Sequence, residues 1–213
     1  FLNRYIKPGA SVLDIGGGPG RYALELAQRG CHVTLLDLAP KHIEIAEANA
    51  AEMGVSINTV CGDACCADTL VTGPFDAVLL MGPLYHLQEE ADRVKAVEAA
   101  LKLLKPGGFF FAAFINCYAG VWDAVRRVPG SILSPSDDEI FNCLLENRSF
   151  AGSAFAVNHF IRPEDVEPFM AQFPLKKLHL LSSESVLFLR EKELAAQPEA
   201  VWNAWMDLAE KVC

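Results

Sequence analysis

The chain has 213 residues, of which 52% are hydrophobic, and a formal net charge of -9. This length is enough for one buried core with an insertion and short for two ordinary catalytic domains. The acidic balance disfavours nucleic acid as a partner, because binding a phosphate backbone requires a broad basic surface. Seven cysteines without a CxxC pair indicate a cytoplasmic protein rather than a disulfide framework. The longest apolar run is too short to span a bilayer, so no membrane partner is expected.

Short apolar runs alternate with longer segments of helical period through residues 1–116, which predicts repeated βα units and a parallel sheet. The predicted strands are, in chain order, Val12 to Ile15, Val33 to Asp37, Ser56 to Cys61, Phe75 to Leu80 and Phe109 to Ile115. The predicted helices between them are Arg21 to Arg29, Pro40 to Met53 and the stripe from Val94 to Leu104. The fold class is therefore predicted as α/β, with a doubly wound, mostly parallel, Rossmann-like sheet.

Residues 117–158 do not continue this alternation of strands and helices. We interpret them as a helical cap insertion, without a strand of its own, over the acceptor site. The core is predicted to comprise residues 1–116 and 159–213. After the cap, the pattern predicts a helix from Pro163 to Phe173 that Pro168 kinks or delays, a strand from Leu175 to Leu181 and an amphipathic C-terminal helix. Residues 184–194 fit either a strand or a helix.

A glycine-rich loop, VLDIGGGPG at residues 12–20, follows the first predicted strand. Glycines let a backbone turn sharply and approach a ligand closely, and the helix that follows supplies free amides. With Ala23 and Asp37, the loop also fits a dinucleotide-binding fingerprint loosely. Asp14 favours a different ligand, because a carboxylate repels a pyrophosphate and attracts an ammonium group.

The loop resembles the first motif of the class I S-adenosylmethionine-dependent methyltransferases, hydrophobic-Asp-hydrophobic-Gly-x-Gly-x-Gly. Asp37 at the end of the second strand, Gly62-Asp63-Ala64 after the third and LKPGGFFF before the fifth agree with this resemblance. It implies S-adenosylmethionine as cofactor, with Asp37 on the ribose hydroxyls and Asp63 at the adenine amino group. The cofactor-binding residues expected from it are Asp14, Gly16, Gly17, Gly18, Gly20, Asp37, Leu38, Asp63, Ala64 and Met81.

The loop after the fourth strand, MGPLYHL at residues 81–87, is expected to face the reactive sulfonium, because ligands bind where the winding of such a sheet reverses. Gly82 stands where nitrogen-methylating relatives carry Asn or Asp. Adenine, cytosine and glutamine-amide acceptors are therefore disfavoured. The loop is similar to that of a bacterial branch related to the quinone-biosynthesis methyltransferases, which implies methyl transfer to a small molecule.

Methyl transfer from a sulfonium is an in-line displacement, so the protein mainly positions the two reactants. His86 is the candidate base for an acceptor that carries a proton, and Tyr85 is the candidate to orient the acceptor or line the sulfonium pocket. A structural role for His86, as a helix cap or a contact to the cofactor, stays open. Asn116 and Tyr118 follow the fifth strand and are candidate substrate-binding residues, whereas His159 is predicted to be structural.

Two other functions stay open. An NAD(P)-dependent oxidoreductase would place Asp37 on a ribose and leave Asp63 without a role. A non-catalytic cofactor-binding protein would explain the missing side chain at Gly82. No metal is expected, because Cys61 and its neighbours lack paired spacing and further ligands. Both a monomer and a homodimer are compatible with the sequence.

Overall fold

A computed structural model describes residues 1–133, 139–153, 157–182 and 191–212. The chain divides into two compact units, Phe1–Met170 and Ala171–Cys213. This division differs from the predicted boundaries at residues 116 and 159. The assignment of residues 117–158 to a cap, and of residues 159–213 to the core, stays a prediction.

The first unit contains a sheet of five parallel strands in the spatial order β3-β2-β1-β4-β5. The strands are β1 Ser11–Ile15, β2 His32–Asp37, β3 Asn58–Cys61, β4 Phe75–Leu80 and β5 Leu104–Ala112. The order reverses between β1 and β4, which pair directly. The predicted doubly wound α/β fold is therefore confirmed.

Helices connect these strands and continue after them. They are α1 Arg21–Gln28, α2 Pro40–Met53, α3 Ala67–Leu70, α4 Glu90–Lys102, α5 Tyr118–Arg127, α6 Glu139–Leu145 and α7 Pro163–Met170, with 3-10 turns at Leu2–Arg4, Ala64–Cys66, Pro83–Tyr85 and Pro129–Leu133. The predicted start of α2 is confirmed at Pro40, and Gly54 ends it with φ of 65°. Proline suits the first turn of a helix, and glycine adopts the left-handed C-cap conformation without steric cost.

The central strands β1 and β4 are buried almost along their whole length. In β1, Val12, Leu13 and Ile15 are each 0% exposed. Helices cover both faces of such a sheet, so its strands read as continuous apolar runs, and each buried Val or Leu side chain contributes about 1.5–3 kcal/mol. The carboxyl of Asp14 is therefore held in a rigid, apolar surrounding.

A second, three-stranded sheet follows β5. Its strands are β6 Ile115–Asn116, β7 Phe150–Ser153 and β8 Val157–Ile161, in the order β6-β8-β7. The expectation that residues 117–158 contain no strand is wrong, because β7 and the first residues of β8 lie there. Phe150 and Phe160 pack with two cysteines into a small separate core, which gives these short strands an apolar face to bury.

The second unit contains helices α8 Glu191–Ala195 and α9 Glu199–Val212. Helix α9 confirms the predicted C-terminal helix. The strand predicted at Leu175 to Leu181 is wrong, because residues 175–181 have no strand structure and Leu178 and Leu180 are 52% and 50% exposed. Residues 184–190 lie outside the described residues. No helix in the described ranges is long and apolar enough to cross a membrane.

Candidate active site

The loop between β1 and α1 has the backbone that only glycine adopts easily. Gly16, Gly18 and Gly20 have φ of 72°, 57° and 91°. A Cβ atom on Gly18 would meet nothing within 4 Å, whereas one on Gly16 would lie 2.5 Å from Pro83 Cδ. The loop is therefore open to a ligand at Gly18 and packed against the chain at Gly16.

Asp14 lies beneath this loop at the carboxyl end of β1. Its side chain is almost fully buried, and its Oδ2 atom has no hydrogen-bond partner among the described residues. Burial raises the pKa of this carboxyl to about 7; the Ala23 backbone N–H opposes that shift, and the charge of Asp37 adds to it. A Cβ on Gly17 would lie 2.8 Å from Oδ2, so a side chain at this position would clash with the carboxyl. A cationic donor at Oδ2 would satisfy an otherwise costly buried group.

Asp37 at the end of β2 ties the glycine loop to the sheet. Its Oδ2 accepts a hydrogen bond from Gly18 N–H at 2.8 Å, and its Oδ1 accepts one from Ala39 N–H at 2.9 Å. His42 Nδ1 lies 3.0 Å from the same Oδ1. A carboxylate has about four acceptor positions, and these contacts use three of them, so Asp37 can still accept one hydrogen bond from a ligand hydroxyl. His42 is not among the residues predicted from the sequence, although its place in the first turn of α2, close behind Asp37, was a signal for it.

The ends of β2 and β3 carry the remaining predicted cofactor residues. Asp63 Oδ1 accepts a hydrogen bond from Cys65 N–H at 2.9 Å and caps the 3-10 turn Ala64–Cys66. Leu38 is 69% exposed, which leaves an apolar surface beside Asp37. Gly62 N–H donates to the Asp37 carbonyl at 2.9 Å. These groups therefore share one edge of the sheet.

The loop after β4 touches the glycine loop backbone to backbone. A Cβ on Gly82 would lie only 2.8 Å from the carbonyl oxygen of Gly16. Met81 before it is partly buried against the core of the main sheet. The close approach explains why residue 82 has no side chain, since any other residue would push the two loops apart.

Tyr85 and His86 follow in this loop with their ring centroids 4.8 Å apart. Burial, and to a smaller extent the charge of Tyr22, raises the pKa of the Tyr85 hydroxyl, which therefore stays a neutral donor. His86 is exposed, and its Nδ1 lies 3.0 Å from the carbonyl oxygen of Val157 on β8. Because a carbonyl oxygen only accepts, this contact favours a proton on Nδ1 and a free lone pair on Nε2.

Asn116 and Tyr118 lie in the second sheet and at the start of α5. Asn116 Oδ1 accepts a hydrogen bond from Tyr118 N–H at 3.0 Å, and Tyr118 is 53% exposed. Tyr118 also lines a cavity of about 310 Å³ together with Cys117, Val121, Leu144, Asn147, Arg148, Arg162 and Glu164. Among the described contacts, none joins Asn116 or Tyr118 to Tyr85 or His86.

His159 on β8 is buried, and its burial, assisted by the charge of Arg93, lowers its pKa to about 4. The imidazole is therefore neutral near pH 7. Burial also raises the pKa of the Cys65 thiol to about 11, which keeps it protonated. Within the ranges that the structure covers, no three His, Cys, Asp or Glu side chains are grouped so as to hold a metal ion.

Residues 12–108 match the family described as "Methyltransferase domain". With the 3-2-1-4-5 strand order and the glycine loop, this match makes the chain similar to the class I S-adenosylmethionine-dependent methyltransferases.

Within that class, the chain is similar to enzymes named ubiquinone biosynthesis O-methyltransferase. It is 39% identical over 110 residues to the protein of Xylella fastidiosa, covering 51% of this chain and 43% of that protein. It is 28% identical over 172 residues to the protein of Pectobacterium carotovorum, covering 81% and 65%. The chain spans about half the length of the first of the curated relatives it matches.

A crystal structure of a SAM-dependent methyltransferase from Methanosarcina mazei has the same fold. It aligns with a TM-score of 0.61 at 20% identity, over 80% of this chain and 82% of that one. The similarity extends beyond the matched domain into the region after β5.

The residues at the carboxyl edge of the sheet fit the cofactor of this class. Asp14 Oδ2 has no partner and would pair with the ammonium group of S-adenosylmethionine. The open space at Gly18 accommodates a ligand close to the backbone, and Asp37 has about one acceptor position left for a ribose hydroxyl. The acid beneath the loop fits a cation better than the diphosphate of a dinucleotide.

Proposed function

We propose that the chain transfers the methyl group of S-adenosylmethionine to a small-molecule acceptor by in-line displacement. The observation that carries this proposal is Asp14, a buried carboxyl with an unpartnered oxygen directly beneath a glycine loop. An ammonium group pairs with this carboxyl, whereas the diphosphate of NAD(P) is repelled by it. An oxidoreductase function is therefore disfavoured.

Each part of the cofactor has a proposed site. The ammonium group binds at Asp14, and the methionine part follows the backbone from Gly16 to Gly20. The ribose hydroxyls bind Asp37, which His42 and two backbone amides hold in place. The adenine lies at the edge formed by Leu38, Asp63 and Ala64, with Met81 beneath the site. When bound, the cofactor supplies a methyl group already activated by the sulfonium.

We assign His86 as the base that takes the proton from the acceptor. Its Nδ1 is engaged by the Val157 carbonyl, which leaves Nε2 as the proton acceptor. A hydroxyl acceptor needs such a base, and the curated relatives are named O-methyltransferases. Tyr85 remains protonated beside His86 and donates a hydrogen bond to the acceptor oxygen. These contacts support a hydroxyl acceptor, such as a phenol.

The segment 117–158 is proposed to enclose the acceptor, with Asn116 and Tyr118 at its entrance. The Val157 carbonyl, at the end of this segment, contacts the proposed base and supports this arrangement. The described cysteines are free thiols, which fits the proposed cytoplasmic location. A monomer and a homodimer both remain compatible with the proposal.

Calorimetry with S-adenosylhomocysteine and NAD⁺ tests the cofactor assignment. We expect micromolar binding of the first ligand, its loss in Asp14→Ala, and no binding of the second. Asp76→Asn is the matched control, because Asp76 lies at the opposite edge of the sheet, bound to Ser11 and Lys105. Clear NAD⁺ binding would favour the oxidoreductase instead.

A second assay tests turnover. Labelled S-adenosylmethionine is incubated with a panel of phenols, amines and thiols, and methylated products are measured for the wild type and His86→Gln. We expect products from phenols and a large loss in the variant. Cofactor binding without any product would favour the non-catalytic alternative.

A further inference from the structure

We propose that Arg93 is a positioning residue, which holds the loop carrying His86 in the geometry required for proton transfer. This inference rests on the proposed function, because it assigns the base to His86. Arg93 lies in the first turn of α4 and is only 6% exposed. Its Nη1 donates hydrogen bonds to the carbonyl oxygens of Leu87 at 2.8 Å and Gln88 at 2.6 Å.

These two carbonyls belong to the residues that directly follow His86. On the other side of His86, its backbone N–H donates to the Pro83 carbonyl at 2.9 Å, and its Nδ1 meets the Val157 carbonyl at 3.0 Å. The histidine is thus fixed before, at and after its own position. Arg93 supplies the contacts after it, and these come from a side chain rather than from the local turn.

A buried cation is costly, and an apolar side chain would fill the same space with less penalty. Among the described residues, no carboxylate lies within ion-pair distance of Arg93. Its hydrogen-bond partners are the carbonyl oxygens of the loop. The buried guanidinium of Arg93 donates to carbonyls of one loop. We take this as evidence that Arg93 orders the loop carrying His86 and does not serve stability alone.

The surroundings of Arg93 support this role. The 3-10 turn Pro83–Tyr85 packs against β8, which carries both Val157 and His159. His159 stays neutral at pH 7, so its side chain adds no positive charge next to Arg93. Burial lowers the pKa of the Arg93 guanidinium, and the charges of Glu90 and Glu89, at the start of α4, oppose that shift. The positive charge is therefore retained behind the His86 loop.

The test compares Arg93→Met and Arg93→Lys with Lys95→Met. Lys95 is the matched control, because it lies on the same helix, is exposed and pairs only locally with Asp92 at 3.0 Å. The first readout is the ¹⁵N spectrum of the histidine rings with S-adenosylhomocysteine bound, which reports the tautomer of His86 without any acceptor. The second is the kcat and KM for methylation of a phenol from the panel above that the wild type methylates.

In the wild type and Lys95→Met, we expect the tautomer with the proton on Nδ1. In Arg93→Met, we expect a mixture of tautomers and a kcat lower by about 10- to 100-fold, because small displacements of a reacting group have effects of this size. The dissociation constant for S-adenosylhomocysteine should change by less than about twofold, since the cofactor contacts are untouched. Arg93→Lys should recover part of the rate, because an ammonium can still donate to the two carbonyls.

An unchanged tautomer together with a kcat within twofold of the wild type in Arg93→Met would overturn the inference. If Arg93→Met does not fold, Arg93→Lys decides, and identity with the wild type in both readouts would overturn it equally. Failure of the proposed function looks different. The wild type would then give no methylated phenol, or His86→Gln would methylate the phenol as fast as the wild type, whatever the tautomer in the Arg93 variants.

Discussion

Replacing Asp14 with Asn should stabilise the cofactor-free protein and weaken cofactor binding. The carboxyl is buried under the glycine loop with one oxygen unpartnered, so the folded chain holds its negative charge at a cost. Asparagine has nearly the same shape but no charge. The substitution therefore separates the energetic cost of Asp14 from its proposed benefit in binding an ammonium group.

The size of the effect follows from the pKa of Asp14, which burial raises from an ordinary 3.8 to about 7. A shift of about three pKa units corresponds to roughly 4 kcal/mol. Between these two pH values the folded state binds more protons than the unfolded state. The free energy of unfolding of the wild type is therefore highest below pH 3.8, falls as the pH rises and reaches its lower level above about pH 7.

Urea unfolding of both proteins between pH 5 and pH 8 measures this difference. We expect the free energy of unfolding of Asp14→Asn to exceed that of the wild type by an amount that grows with pH, up to about 4 kcal/mol. Saturating S-adenosylhomocysteine should reduce the gap, because losing a charged hydrogen bond of about 1.5–3 kcal/mol weakens binding to the variant roughly 10- to 150-fold. A difference that does not change with pH, or equal affinities, would refute the reasoning.

Four further substitutions test the glycine positions and the ion pair at the opposite edge of the sheet. Gly18→Val and Gly9→Val both strain a left-handed backbone and should lower the Tm. Only Gly18→Val should abolish S-adenosylhomocysteine binding measured by calorimetry, because its side chain enters the open space of the loop. Binding retained in Gly18→Val would contradict this. Gly82→Asn should lower the Tm and the cofactor affinity, since its Cβ meets the Gly16 carbonyl at 2.8 Å. Methylation of amides by this variant would contradict the view that a side chain at position 82 disturbs the cofactor site. Asp76→Asn should cost less than about 1 kcal/mol in urea at pH 7, because its ion pair with lysine is partly exposed. The pKa of Asp76 is lowered to about 2. The difference in free energy of unfolding between the wild type and Asp76→Asn should therefore be full above pH 3.8 and vanish towards pH 2. A difference that persists at pH 2 would contradict the role given to this ion pair.

The centre of the main sheet was predictable because strands β1 and β4 are buried almost along their whole length. A fully buried parallel strand must be apolar along its length, and the glycine after β1 and the proline at α2 mark the connections. Leu175 to Leu181 has a similar apolar content but forms no strand. Strands need a partner ladder, and apolar content alone does not provide one. Strand β7 was missed for the opposite reason, because Phe150–Ser153 is short and is defined by its pairing with β8.

The candidate site was predictable where a motif fixes a local backbone and not where it depends on distant contacts. The glycine loop and Asp37 follow from spacing within one βα unit. The contact between His86 and Val157 joins residues 71 positions apart in the chain, so no local pattern indicates it. In the sequence Arg93 is one more charged residue of a predicted helix, and only the structure reveals that it is buried against the His86 loop.

The choice of acceptor follows from backbone packing as well as from side chains. Any residue other than glycine at position 82 would bring its Cβ to 2.8 Å from the Gly16 carbonyl and displace the loop that covers Asp14. An amide-orienting side chain at this position would therefore disturb the proposed cofactor site. The polar groups in this loop include Nε2 of His86, the proposed proton acceptor, and the neutral hydroxyl of Tyr85, the proposed hydrogen-bond donor. Such a pair suits an acceptor oxygen that loses a proton as it gains a methyl group, because one group removes the proton while the other holds the oxygen in line.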